Sequence, residues 1–244
     1  MTATANATSR SGGLRTVVEN IARKPATSLC QMDMRGILAA QHSGAGAARA
    51  TSPRDLPAGE EMDDHGKAPA GALRIDAMPV AAGMVGMCHL PGRRGVDDAG
   101  RAWSRVLDDD LAAIEAWGAA MLLTLVEDGE FARYGVPGFA ARAQARRFAW
   151  LHLPIADMQP PGEDFERGWR AHGEAILSAL ARGERVAIHC VGGRGRSGTI
   201  AARIAVAFGA APAEAIARVR AARAGAIETR AQELHVLALR AGSR

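Results

Sequence analysis

Cysteine is scarce in this 244-residue chain, and the few cysteines show no pairing pattern. The three cysteines, Cys30, Cys88 and Cys190, stand at unrelated spacings. An odd number of irregularly spaced cysteines argues against a disulfide framework and against a zinc ribbon. Because such usage fits a reducing compartment, we expect a cytoplasmic protein.

Long apolar runs and aromatic residues are also lacking. The most apolar stretch, AAMLLTLV, is far too short to span a bilayer, and no apolar signal segment follows the N-terminus. Aromatic residues make up 4% of the chain, the net charge is only +4, and no basic stripe is interleaved with aromatics. We therefore expect neither stable membrane insertion nor nucleic-acid binding.

Histidines at metal-binding spacing are absent as well. The seven histidines form neither an HxH nor an HExxH pattern. No metal site is therefore predicted from the sequence. The oligomeric state is left open by the sequence.

Large apolar residues are sparse through the first third of the chain. The segment QHSGAGAARATSPRDLPAGEEMDDHGKAPAGA is rich in Gly, Ala, Pro and charged residues. A segment of this composition cannot bury enough surface to offset the entropy of ordering it. We predict that residues 1–78 form a disordered tail and that residues 79–244 form the folded domain.

From residue 79 onward, strand-like and helix-like segments alternate. VGMCHLPG, AAMLLTLV, AWLHLPI and RVAIHC are typical of strands, EDGE of a turn, and EDFERGWRAHGEAILSALARG and RSGTIAARIAVAFG of helices. The alternation predicts an α/β fold with a central, mostly parallel sheet flanked by helices on both faces. In such a fold the ligand site lies beyond the carboxyl ends of the strands, where Cys190 stands.

The stretch HCVGGRGRSG joins a predicted strand to a predicted helix. Its glycines let the backbone curl so that successive N–H groups point inward, and the helix N-terminus adds further donors. We expect this loop to bind a dianion through its backbone and through a two-pronged contact from Arg196. The other predicted binding residues of the loop are Val191, Gly192, Gly193, Arg194 and Gly195.

Cys190 stands at the mouth of this loop. A free cysteine has a pKa of about 8.5, and helix N-termini and nearby cations lower it to roughly 3.5–7.5. We therefore expect Cys190 to be a nucleophilic thiolate aimed at the bound phosphorus. His189 is expected to hydrogen-bond the loop from behind, and Ser197 to cap the helix or to donate to the sulfur.

The pattern HCxxGxxR[ST] in HCVGGRGRS resembles the signature of the cysteine-dependent protein tyrosine and dual-specificity phosphatases, over roughly residues 79–241. The segments GMCHLPG, VEDGEFARYGVP, LHLPIAD and AGAIETRAQ are similar to the kinase-associated phosphatase (cyclin-dependent kinase inhibitor 3-like) subfamily. The resemblance implies two-step hydrolysis of a phosphate monoester through a cysteinyl-phosphate, with no metal and no organic cofactor.

The resemblance also implies a general acid on a loop before the cysteine, and LPIADMQPP places Asp157 there. One carboxyl group can protonate the leaving oxygen in the first step and take a proton from water in the second. Asp164 and Glu163 are competitors, although they are typical of the first turn of the next helix. Gln232 resembles a family glutamine that helps to position water.

One acidic segment and one cysteine are interpreted as structural rather than catalytic. Glu127, Asp128 and Glu130 form an acidic turn, which we interpret as a surface loop. Cys88 lies in a segment similar to a family segment near the pocket, but a buried thiol in the core is the favoured interpretation.

Two further features bear on the substrate. The chain has no tyrosine-bearing recognition loop, and its single tyrosine, Tyr134, lies in FARYGVPG. This favours a shallow pocket that admits phosphoserine and phosphothreonine as well as phosphotyrosine. Arg194 places a second cation inside the loop, as in the lipid phosphatases of the superfamily, but these usually carry another basic residue where this chain has Val191.

The predicted partner is therefore a phosphorylated protein or peptide. A phosphatase for phosphoinositides or other polyanionic small molecules is the alternative. A module that binds phosphate without turnover is a second alternative, and the joint presence of Cys190, Arg196 and Asp157 argues against it.

Overall fold

The computed structural model describes residues 71–97 and 100–242, which form a five-stranded sheet, a two-stranded hairpin and seven helices. The strands are β1 (Asp76–Val80), β2 (Gly83–Cys88), β3 (Arg94–Val96), β4 (Ala102–Ser104), β5 (Ala119–Thr124), β6 (Ala149–His152) and β7 (Arg185–His189). The helices are α1 (Leu107–Ala116), α2 (Asp128–Arg133), α3 (Phe139–Gln144), α4 (Glu163–Ala181), α5 (Gly195–Ala207), α6 (Pro212–Ala222) and α7 (Arg230–Leu237).

The main sheet has the strand order β1-β2-β7-β5-β6. Strands β2, β7, β5 and β6 run parallel, and β1 pairs with β2 in the antiparallel sense. Helices connect the parallel strands, because a parallel pair needs a long crossover. The predicted α/β class with a mostly parallel central sheet is confirmed.

Helices cover both faces of this sheet. Leu122 and Ala187 face a core cluster that α1 and α3 complete with Ile114 and Phe139. The neighbouring residues along the strands point the opposite way and are covered by α4 and α5. Every residue of α5 except Arg203 is buried, so this helix is held firmly behind the loop that precedes it.

The four parallel strands end in register at one edge of the sheet. Cys88 and Thr124 both pair with His189, and Thr124 also pairs with His152. The loops that leave these strands therefore start side by side. Polar residues that follow the strands converge at this edge, as expected for the ligand site of a parallel sheet.

The described fold begins before the predicted boundary at residue 78. Strand β1 starts at Asp76, Met78 is buried, and Leu73 belongs to the core cluster. Residues 73–78 carry too few apolar residues to be distinguished by composition from the polar segment that precedes them. Residues 1–70, the rest of the predicted tail, lie outside the described residues.

Two local elements also differ from the sequence interpretation. EDGE is not a turn, because α2 begins at Asp128 after a capping box in which the Glu127 N–H donates to Glu130 Oε2 at 2.7 Å. The hairpin of β3 and β4 was not predicted, since its three-residue strands carry too short a pattern to detect.

Two features are absent from the part of the chain that the structure describes. None of its helices has both the length and the apolar character that crossing a membrane requires. It also contains no group of three or more His, Cys, Asp and Glu side chains that could hold a metal ion.

Candidate active site

The strand–loop–helix unit predicted around Cys190 is present. Strand β7 ends at His189, α5 begins at Gly195, and the loop between them starts with Cys190. Cys190 is buried, and its Sγ accepts a hydrogen bond from the Gly193 N–H at 3.2 Å. The loop therefore curls around its own sulfur atom.

Two of the loop glycines are required by the geometry. Gly193 has a φ of 68°, and a Cβ there would lie 2.2 Å from the carbonyl oxygen of Cys88. A Cβ on Gly195 would lie 2.6 Å from Glu228 Oε2. Gly192 has open space at the same position. The glycines at 193 and 195 thus allow two other segments to approach the loop backbone closely.

Contacts from outside the loop fix its first half. Arg223 Nη2 donates to the Gly192 carbonyl oxygen at 2.9 Å, while Arg223 Nη1 donates to Asp76 Oδ2 at 2.6 Å. The Leu90 N–H donates to the Val191 carbonyl oxygen at 3.1 Å. The side chain of Val191 lies in the core cluster, so any contact of Val191 with a ligand must come from its backbone.

The guanidinium of Arg196 is the most buried charge at this edge of the sheet, with 2% of the side chain exposed. Its Nη1 and Nη2 bind Glu130 Oε2 and Oε1 at 2.6 and 2.9 Å, and Nη1 also donates to the Ile155 carbonyl oxygen at 3.0 Å. Burial disfavours the cation, but the hydrogen bonds to Glu130 and the negative charges of Cys190, Glu130 and Asp157 raise the pKa of Arg196 above its ordinary value.

Glu130 occupies one edge of this guanidinium, and Asp157 Oδ1 lies 2.8 Å from Nη2 on the other. The carboxylate spans Nη1 and Nη2, so the second edge, formed by Nε and Nη2, is the one that a phosphate can bind in a two-pronged contact. Because Glu130 occupies the Nη1–Nη2 edge, Arg196 can make the predicted two-pronged contact with a phosphate only through its Nε–Nη2 edge.

Glu130 corrects the interpretation of the acidic turn. Glu127 and Asp128 are exposed, as expected, but Glu130 is buried and paired with Arg196. A buried arginine needs a carboxylate partner, because an unpaired buried charge is costly. The signal that could have identified Glu130 is thus the prediction of a buried Arg196, rather than any pattern within EDGE itself.

Replacing Glu130 by glutamine is expected to reduce both stability and turnover. Removing one partner of a buried ion pair costs about 3–5 kcal/mol. Displacing a catalytic group by about 1 Å costs about 10²-fold in rate. Urea unfolding and kcat/KM on an aryl phosphate measure the two effects. Asp128→Asn, on an exposed neighbour, is the control, and equal behaviour of the two variants would show that Glu130 does not position Arg196.

Asp157 lies where the resemblance implied, on the loop after β6. Its Oδ1 is 2.8 Å from Arg196 Nη2 and accepts a hydrogen bond from the Met158 N–H at 3.0 Å. About half of the side chain is exposed (54%), so this carboxyl group can reach both the loop and solvent. The competitors Glu163 and Asp164 lie in the first turn of α4 and pair with Arg167.

Gln232 is fully buried, and its amide lies beside Gly195 of the loop. Its Oε1 accepts from the N–H groups of Glu228 and Thr229 at 3.0 and 3.2 Å, which completes the capping box of α7. Its Nε2 donates to the Gln159 carbonyl oxygen at 3.3 Å, and Thr229 Oγ1 donates to the Met158 carbonyl oxygen at 3.2 Å. Gln232 thus ties the start of α7 to the loop that carries Asp157.

His189 supports the loop from behind, as expected. Its Nδ1 lies 3.3 Å from the Cys190 carbonyl oxygen, and its Nε2 lies 2.8 Å from Thr124 Oγ1, which also accepts from Trp150 Nε1 at 2.8 Å. A carbonyl oxygen only accepts, so Nδ1 carries the proton and Nε2 accepts from the threonine hydroxyl. Burial lowers the pKa of His189 to about 3, which keeps the ring neutral.

Ser197 makes neither of its predicted contacts. Its hydroxyl is buried and has no hydrogen-bond partner among the described residues, and it lies inside α5 rather than at the N-cap, which is Arg194.

Cys88 is a core thiol, as expected: it is fully buried, and burial raises its pKa to about 12.

The outer side of the loop carries one predicted and one unpredicted charge. Arg194 is exposed, and no acidic side chain among the described residues pairs with it. Glu228, which the sequence interpretation did not single out, is exposed and accepts the Gly195 N–H at 2.8 Å. The contact between Glu228 and Gly195 could not be predicted from the sequence, because the segment AGAIETRAQ has no pattern that indicates which of its residues contacts the loop.

Comparison with known families gives one match over most of the described region. Residues 103–236 match the family described as "Swiss Army Knife protein, DSP-PTPase phosphatase domain". The cyclin-dependent kinase inhibitor 3 of Rattus norvegicus is 28% identical over 177 residues, which cover 70% of this chain and 78% of that protein. Its counterpart in Mus musculus is 27% identical over 176 residues, with the same coverage of 70% and 78%.

Solved structures share the fold. A kinase associated phosphatase whose catalytic-site cysteine is replaced by serine has a TM-score of 0.61 at 24% identity, covering 69% of this chain and 94% of that one. A protein tyrosine phosphatase from Leishmania major has a TM-score of 0.52 at 18% identity, covering 68% of this chain and 98% of that one. At these identities the two structures support the architecture of the sheet and helices.

Proposed function

Because the chain belongs to the dual-specificity and protein tyrosine phosphatases, we propose that it removes phosphate from phosphotyrosine, phosphoserine and phosphothreonine in proteins through a cysteinyl-phosphate intermediate. The family predicted from the HCxxGxxR[ST] pattern is confirmed, and the chain is a protein-tyrosine/dual-specificity phosphatase. The observation that carries the proposed mechanism is the meeting of Arg196 and Asp157, at 2.8 Å, beside the loop that curls around the Cys190 sulfur.

The first step transfers the phosphoryl group to sulfur. The Cys190 thiolate attacks phosphorus, the bond from phosphorus to the substrate oxygen breaks, and the Asp157 carboxyl group gives its proton to that oxygen. The Nε–Nη2 edge of Arg196 and the loop N–H groups bind the equatorial oxygens, where negative charge is held in the transition state. Because Glu130 holds the opposite edge of Arg196, the guanidinium can keep one orientation throughout.

The second step releases phosphate. Asp157, now a carboxylate, takes a proton from a water molecule that attacks phosphorus, and the bond from phosphorus to sulfur breaks with return of the thiolate. The hydrogen bond from the Gly193 N–H to Sγ supports this step, because it interacts favourably with the charge that returns to sulfur. The chemistry requires a reduced thiol, which favours a reducing compartment such as the cytoplasm.

Two observations favour a protein substrate. The rat relative is named for a cyclin-dependent kinase, and the solved relative for its association with a kinase. The single tyrosine, Tyr134, packs against the guanidinium groups of Arg93 and Arg133 at 5.1 and 5.5 Å, and the lack of a tyrosine-bearing recognition loop favours a shallow pocket that also admits phosphoserine and phosphothreonine in proteins.

Arg194 favours the second candidate, a phosphatase for phosphoinositides or other polyanionic small molecules. Its side chain is exposed on the phosphate loop, where it can meet a group beside the reacting phosphate. Beside a phosphopeptide this contact is worth about 0–1 kcal/mol, as for an exposed ion pair. Beside a second phosphate it is charge-assisted and worth about 1.5–3 kcal/mol.

A substrate panel with Arg194→Ala separates the two candidates. Activity is measured with EDTA present on monophosphorylated peptides and on bisphosphorylated inositides. For a protein phosphatase, we expect Arg194→Ala to change kcat/KM on the peptides by less than about fivefold. The small-molecule function would be favoured if Arg194→Ala lowered kcat/KM by more than about tenfold on multiply phosphorylated substrates only, and if this loss shrank as salt rises.

A further inference from the structure

One donor of the phosphate-binding loop is already bound by a carboxylate of the chain itself. Gly195 is the first residue of α5, and its N–H donates to Glu228 Oε2 at 2.8 Å. The backbone N–H groups at the start of a helix are the donors that bind anions at such sites. Glu228 therefore places a negative charge on the surface that receives the substrate phosphate.

The backbone that carries this carboxylate is held by its neighbours. The Glu228 N–H donates to the buried Gln232 Oε1 at 3.0 Å, and the preceding Ile227 N–H donates to the Arg194 carbonyl oxygen at 3.4 Å. A Cβ at residue 195 would lie 2.6 Å from Glu228 Oε2, so a larger residue there would require the carboxylate to move. The fold thus holds the backbone of Glu228 beside the loop, and the Gly195 N–H binds its carboxylate.

The charge of Glu228 is not neutralised by a neighbouring cation. Among the described residues no arginine, lysine or histidine forms an ion pair with it, whereas Arg196 of the same loop is paired with both Glu130 and Asp157. A second phosphate on a substrate adds about −1.5 to −2 charges. Like charges brought together at a binding site repel each other, so this carboxylate opposes polyanions more than single phosphate esters.

We propose that Glu228 determines substrate specificity: its carboxylate, fixed on the Gly195 N–H, restricts the site to an isolated phosphate monoester and excludes substrates with a second phosphate nearby. This inference rests on the proposed phosphatase function and names its substrate class. Arg194 and Glu228 then act in opposite directions on the same rim, and Glu228 is the one hydrogen-bonded to the loop.

Glu228→Gln tests the charge while keeping an oxygen that accepts the Gly195 N–H. The control is Glu233→Gln, which also removes one negative charge. Glu233 lies in α7 and is paired with Arg220 and Arg230. We expect Glu228→Gln to raise kcat/KM on a bisphosphorylated inositide by at least about tenfold, and on a monophosphorylated peptide by less than about threefold. The gain should shrink with salt. Glu233→Gln should change neither value.

An equal change on both substrates, or no change on either, would overturn the proposal. A binding arm makes the result independent of turnover: on a Cys190→Ser background, calorimetry measures the affinity for tungstate and for inositol hexakisphosphate. We expect Glu228→Gln to tighten inositol hexakisphosphate at least about tenfold more than tungstate. If the wild-type protein hydrolyses no phosphate ester, the proposed function fails, while this binding ratio still decides the role of Glu228.

Discussion

Cys190→Ser is expected to abolish hydrolysis of phosphate monoesters and to leave binding of phosphate analogues intact. The hydroxyl of serine is a far weaker nucleophile than a thiolate, whereas the binding donors are the loop backbone and Arg196, which the substitution does not remove. Turnover is measured with an aryl phosphate and with a phosphopeptide. Binding is measured by calorimetry with tungstate, whose affinity should stay within about threefold of the wild type, a change of less than about 1 kcal/mol.

Cys88→Ala is the matched control for this prediction. Cys88 is also buried and ends the neighbouring strand, but burial raises its pKa to about 12, so its thiol stays protonated and is not a nucleophile. The variant is expected to keep its turnover. The covalent mechanism through Cys190 would be ruled out if Cys190→Ser kept more than a few per cent of the activity. It would also be ruled out if Cys88→Ala lost its activity while Cys190→Ser did not.

Asp157→Asn is expected to slow turnover by roughly 10²–10⁴-fold, the usual weight of general acid catalysis. The amide can still accept a hydrogen bond from Arg196 Nη2, but it has no proton to give to the leaving oxygen. The limb of the pH–rate profile that depends on the general acid should disappear in the variant. The loss should also be smaller for substrates whose leaving group needs little protonation. The pH–rate profile on two aryl phosphates of different leaving-group pKa measures both effects.

Asp164→Asn is the matched control, because Asp164 is exposed in the first turn of α4 and pairs with Arg167. We expect it to keep the wild-type profile. If Asp157→Asn has an unchanged profile and Asp164→Asn does not, the role of general acid moves to Asp164.

Features that depend on neighbouring residues were predictable from the sequence. The strand, the three glycines, Cys190 and the start of α5 lie within one short segment, so composition and spacing alone indicate a strand, an anion-binding loop and a helix. The alternation of strand and helix patterns predicted the mostly parallel sheet, because each pattern spans several turns or strand residues. His189 was also placed correctly, since it directly precedes the loop that it supports.

Features that depend on distant residues were decided only by the tertiary structure. The ion pair of Arg196 with Glu130 joins residues 66 positions apart, and the contact of Gly195 with Glu228 joins residues 33 positions apart. Glu130 lies in an acidic segment of ordinary appearance, and the contacts by which Gln232 caps α7 were not predicted.

The physical reason is the same in each of these cases. A local pattern shows which backbone conformation a segment favours, but it does not show which side chain of that segment meets a buried charge or a free N–H. That choice depends on strand order, on the shared edge where β2, β7, β5 and β6 end, and on the close approach that Gly193 and Gly195 permit. The sequence by itself therefore determined the family and the strand, loop and helix around Cys190, and the tertiary structure decided which carboxylates contact that loop.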